Sequence, residues 1–148
     1  MPPTAPTPAP VKAAASAQWR GGEAFLTHGA SGHAVLMDSD RATNAAPGPM
    51  EMVLRSLCAC SATDIVIVLR KTRQDWSGVE VSAEGERAPD PPTVYTRVHM
   101  NYRIRGARVD RAVAERAVKL SQEKYCSVLA TLRHTASITH TLIVEPAP

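Results

Sequence analysis

The chain has 148 residues, 44% hydrophobic and 21% charged, with a net charge of +3. That is one domain's worth of mixed composition, and it excludes collagen-like, mucin-like and wholly disordered classes. Aromatics make up only 4%, so the core must be aliphatic; the three cysteines, an odd number, argue against a disulfide-stapled secreted module.

The first ten residues, MPPTAPTPAP, hold five of the twelve prolines. They lack a basic start and an apolar stretch, so they read as a disordered Pro/Ala arm rather than a secretory signal. The expected compartment is a reducing cytoplasm. The apolar stretch around Ile65 to Leu69 is interrupted by Asp64 and Arg70, so no membrane span and no membrane partner are expected. Residues 11–145 are expected to form a single domain.

Strands are predicted from Val11 to Arg20, Glu23 to His28 and His33 to Asp38, separated by Gly21-Gly22 and by a turn from Gly29 to Gly32. They form a small antiparallel meander. A polar loop runs from Ser39 to Gly48. Pro49 then stands where a helix accepts its first residue at no hydrogen-bond cost. From Met50 to Arg73 there is neither Gly nor Pro, and Leu57 to Leu69 is apolar nearly all round. Such a helix is buried on several sides and forms the centre of the fold.

A β-hairpin follows, from Val79 to Arg87 and Val94 to Arg105. Its second strand is predicted to place Val94, Thr96, Val98, Met100, Tyr102 and Ile104 on one face and Tyr95, Arg97, His99, Asn101, Arg103 and Arg105 on the other. Glu80, Glu84 and Glu86 then lie across from basic residues. This pairing accounts for the basic strand, so no nucleic-acid partner is expected. Asp110 caps a helix from Arg111 to about Tyr125, a break near Cys126 precedes a short helix from Ser127 to Arg133, and Ile138 to Glu145 is a last strand. The order βββ-α-ββ-α-α-β defines an α+β fold, with antiparallel sheets packed around a long central helix.

Cys58 and Cys60 are two apart on the helix, about 200° in rotation, and cannot bond each other. Each reads as a small core residue or as a reactive thiol. Cys126, at a helix start, stands where exposed N–H groups can lower a thiol pKa. Arg41, in the loop ahead of the long helix, is a cation available to a thiolate. His28, His33, His99 and His140 show no ligand spacing, so no metal and no cofactor are expected.

The stretch from Gly48 to Ser61, GPMEMVLRSLCACS, followed by Asp64, is similar to the central-helix motif of the OsmC/Ohr family. Glu123-Lys124-Tyr125-Cys126-Ser127-Val128 resembles its second cysteine motif. Gly32-His33, Met37-Asp38 and Arg70-Lys71-Thr72-Arg73-Gln74 resemble its less-studied OsmC-like branch. The resemblance implies an intertwined homodimer with sites at the subunit interface. It also implies a thiol peroxidase that reduces organic hydroperoxides in oxidative-stress defence. Cys60 takes the peroxidatic position, Cys126 the resolving one, and a cellular dithiol is the reductant. Arg41 corresponds to the arginine that stabilises the thiolate, and Glu51 to the glutamate that braces it. Relatives have that glutamate directly after the proline; here Met50 stands there and Glu51 is rotated by about 100°. Cys58 falls where relatives carry a small residue and is a packing residue. The alternative is a non-catalytic dimer that binds a small apolar or thiol-reactive ligand.

Overall fold

The computed structural model describes residues 8–148. The Pro/Ala arm predicted for residues 1–10 therefore falls, in residues 1–7, outside the described residues. The chain divides into two compact units, residues up to Pro49 and residues from Met50 onward.

The first unit holds β1 (Ala15–Trp19), β2 (Ala24–Gly29) and β3 (Ala34–Asp38), an antiparallel meander in that order. The β1–β2 turn works because Gly21 and Gly22 adopt φ of 110° and 53°, which cost little without a Cβ. The Trp19 indole N–H closes the turn on the Gly22 carbonyl at 3.0 Å. The loop after β3 is organised by aspartates, which readily accept from nearby backbone N–H groups. Asp38, buried, accepts from the N–H groups of Asp40 at 2.9 Å and Ala45 at 3.2 Å. Asp40 accepts from the Ala42 N–H at 2.9 Å.

The second unit opens on α1 (Pro49–Lys71) and continues with β4 (Gly78–Arg87) and β5 (Tyr95–Arg105). Next come α2 (Arg111–Leu120), a π-helical turn (Ser121–Tyr125), α3 (Ser127–Leu132) and β6 (Ser137–Glu145). The Asp110 carboxylate caps α2 by accepting from the Ala112 N–H at 2.8 Å. The sheet order is β4-β5-β6, with β4 antiparallel and β6 parallel to β5, so this sheet is mixed where an antiparallel one was expected. The parallel pair needs a long crossover, and α2 and α3 supply it.

The core gathers Leu57, Ile65 and Leu69 of α1 with Val98, Met100, Tyr102 and Ile104 of β5. Ala114, Ala117 and Val118 of α2 and Leu129 of α3 complete it. Within α1 the buried residues are Leu57, Ser61, Ile65 and Leu69, a single stripe at every fourth position. The helix is thus covered on one side by its own chain, and Ile67 on another side is 39% exposed.

Two further expectations change. First, Tyr95 is buried and Thr96 exposed, the reverse of simple alternation. The register slips at Glu86/Arg87, where Arg87 pairs with Tyr95 and Glu86 with Arg97. The extra residue of this bulge turns Tyr95 inward. Gly85 makes room for it, since a Cβ there would stand 2.7 Å from the Tyr95 ring. Second, an 18-residue window of α1 has mean hydropathy 1.8, so by length and composition the helix could cross a membrane. The buried stripe and the polar bonds described below make α1 the core helix of its unit.

Candidate functional site

Three elements of the second unit converge on the cysteines. Cys60 lies on the flank of the buried α1 stripe and is half-buried. Asp64, four residues on, shares its face of the helix. Cys58 is half-buried too, and is rotated away from Cys60.

Cys126 owes its place to the π turn. Its N–H bonds the Ser121 carbonyl five residues back at 3.1 Å, a wider loop than the α-helical one. The chain then straightens (φ −72°, ψ 100°) and restarts as α3, with Cys126 as N-cap and its Sγ accepting from the Leu129 N–H at 3.4 Å. Cys126 is 3% exposed.

The Cys60 thiol lies near enough to the Cys126 thiol to raise its pKa. Burial pushes the Cys126 thiol up to about 12; the Leu129 N–H pulls it down, while Cys60 and the charge of Asp64 add to the rise. The helix-start effect suggested by the sequence is present but loses to desolvation. Burial also raises the Cys58 thiol.

A chain of buried hydroxyls runs beside the thiols. The Gln122 side-chain amide donates to Tyr102 Oη at 2.7 Å. Tyr102 Oη and Ser61 Oγ are 2.8 Å apart, as are Ser61 Oγ and Ser121 Oγ. Ser121 donates to the Asp64 carboxylate at 2.8 Å. Each hydroxyl has one proton, so the two ends fix every link. Ser121 spends its proton on Asp64, Ser61 must donate to Ser121, and Tyr102 to Ser61. Burial raises the Tyr102 phenol and keeps it protonated. Among the described residues no buried side-chain N or O atom lacks a partner.

Asp64 also lines a cavity of about 440 Å³ between α1 and α2. Ile67, Val68, Val113 and Leu120 give it apolar walls, and Lys71 and Arg116 also line it.

The remaining predicted residues lie apart from this cluster or in the other unit. Glu51 is exposed and pairs with Arg55 one turn along α1 at 2.5 Å. Arg41 lies in the first unit, exposed in the loop after β3. Among the described residues no three His, Cys, Asp or Glu side chains gather as metal ligands. Ser61, Tyr102, Ser121 and Gln122 were not anticipated. The one signal for them is Ser61 itself, the single hydroxyl on a stripe that otherwise carries Leu57, Ile65 and Leu69.

The chain belongs to the OsmC/Ohr family: the family model described as OsmC-like protein matches residues 42–141. The protein YhfA of Escherichia coli K12 is 41% identical over 133 residues, covering 90% of this chain and 98% of the relative. A crystal structure of a hypothetical protein from Aquifex aeolicus VF5 superposes with TM-score 0.83 at 26% identity, covering 93% of this chain and 99% of that one. The fold is shared with an organic hydroperoxide resistance protein OsmC from Legionella pneumophila, at TM-score 0.64 and 16% identity over 91% of this chain and 98% of that one.

Proposed function

We propose that this chain is a cysteine-based thiol peroxidase that reduces organic hydroperoxides. The observation that carries the reading is the nearness of the Cys60 and Cys126 thiols, 66 residues apart in sequence yet close enough for one to perturb the other. Cys60, as thiolate, attacks the distal peroxide oxygen. The O–O bond breaks, an alcohol leaves with a proton, and Cys60 becomes a sulfenic acid. Cys126 displaces the sulfenic hydroxyl as water and forms a disulfide. A cellular dithiol exchanges with that disulfide and restores both thiols.

The reading is supported by the family and by the organic hydroperoxide resistance named for the Legionella relative of the same fold. The raised pKa of Cys126 suits a resolving thiol, which stays protonated until its partner is oxidised. Arg41 is the cation assigned to the Cys60 thiolate, and Glu51 enters as its brace. A homodimer in the cytoplasm completes the proposal, with a second copy covering the sides of α1 that its own chain leaves open. The test is consumption of an alkyl hydroperoxide with a dithiol reductant. Cys60→Ser is expected to abolish turnover, and equal rates for variant and wild type overturn the reading.

One observation favours the alternative of a non-catalytic dimer that holds a small apolar or thiol-reactive ligand. Glu51 is engaged by Arg55. Thiol labelling separates the two, because a Cys60 that reacts only after denaturation fits the binding role.

A further inference from the structure

We propose that Asp64 is the proton acceptor for Cys126 when the Cys60–Cys126 disulfide forms, held in place by Ser121. The inference rests on the cysteine-pair reading above and adds a residue to it.

The geometry is specific. Asp64 sits one helical turn from Cys60, on the same face of α1. Ser121 ties it to Cys126 by two bonds from one residue: its hydroxyl donates to Asp64 at 2.8 Å and its carbonyl accepts the Cys126 N–H at 3.1 Å. The Asp64 charge is felt at the Cys126 sulfur. Asp64 also lines the cavity between α1 and α2. The hydroxyl chain supports the same role. With Ser121 donating to Asp64, the row from Gln122 through Tyr102 and Ser61 ends on the Asp64 carboxylate. Other titratable groups around the pair are Cys58 on α1 and Tyr102 on β5, with Lys71 and Arg116 on the cavity wall.

The step balances. The Cys126 S–H gives its proton to Asp64 and its electron pair to the Cys60 sulfur. The S–S bond forms as the Cys60 S–O bond breaks. The departing hydroxide takes the proton from Asp64 and leaves as water. The oxidising equivalents are those the hydroperoxide delivered when Cys60 became a sulfenic acid. A neutral buried thiol is a poor nucleophile, so a base beside it raises the rate.

The test uses Asp64→Asn, which keeps the side chain's shape, with Ser121→Ala as a second variant that loosens the carboxylate. Disulfide formation is followed by intact mass after one equivalent of an alkyl hydroperoxide, and separately after diamide, which oxidises thiol pairs without a peroxide. In Asp64→Asn the disulfide is expected to form about a hundredfold more slowly with either oxidant, with a smaller loss in Ser121→Ala. Alkylation of Cys126 in a Cys60→Ser background should move the opposite way. Losing a neighbouring negative charge lowers the thiol pKa, so alkylation at mildly alkaline pH should be as fast or faster. A purely structural role would move both readouts in the same direction. Unchanged disulfide formation in Asp64→Asn, a parallel fall in both readouts, or a wild type that forms no Cys60–Cys126 disulfide with either oxidant overturns the proposal. A wild type that reacts with diamide but not with hydroperoxide overturns the peroxidase reading and leaves the role of Asp64 standing or falling on the diamide rates.

Discussion

The two units of this chain are built on opposite plans. In the second, β5 alternates buried and open residues, and α1, α2 and α3 close over its inner face with Leu57, Met100, Tyr102, Ile104 and Leu129 fully buried. In the first, Asp38 alone among the described residues is buried, while Trp19 is 67% exposed and Phe25, Val35 and Leu36 lie open as well. One unit is held by apolar burial. The other is held by ladder hydrogen bonds, glycine turns and two aspartates that organise a loop. The buried apolar core lies in the second unit, and that is where the cysteines are.

Substitutions can break this contrast, beginning with the largest effect. Leu57→Ala removes a fully buried side chain and is expected to cost about 2–5 kcal/mol, read from denaturant melts. Tyr102→Phe keeps the ring but leaves Ser61 and Gln122 without their shared partner; a loss of about 1–3 kcal/mol is expected. Alkaline titration should follow. Cys126 is raised in the folded state, from its ordinary value of 9.0 to about 12. The stability this thiol contributes is therefore complete below pH 9 and lost as pH rises toward 12. Cys126→Ala should flatten that part of the profile. The smallest effect is expected in the first unit, where Phe25→Ser in dilute protein should change stability by no more than about 0.5 kcal/mol. A loss that grows with protein concentration would instead show that a second copy covers that sheet.

Much of the fold could be read from local chemistry. The glycine pair at 21 and 22, Pro49 at a helix start, Asp110 as a cap and the break at Cys126 each act within a few residues, and the order of elements followed from them. The face of Tyr95 did not, because a bulge depends on the partner strand and on the space that Gly85 leaves. The site was legible only in its cysteines, and the proposed pairing of Cys60 with Cys126 came from resemblance, since 66 residues of chain separate them. The hydroxyl row joins α1, β5 and the π turn. None of its members has a sequence neighbour in the row except Ser121 and Gln122, so local pattern could not have assembled it. Arg41 and Glu51 were assigned by analogy of position, and Glu51 is already taken up by Arg55.

The resolving role proposed for Cys126 competes with a structural one. Its sulfur caps a helix only six residues long, accepting from the Leu129 N–H. A sulfur drawn into a disulfide is a weaker acceptor and shifts toward Cys60, so oxidation should fray the first turn of α3. The Leu129 amide then becomes a local gauge of redox state: its exchange with solvent should quicken on oxidation and slow again when the dithiol is restored.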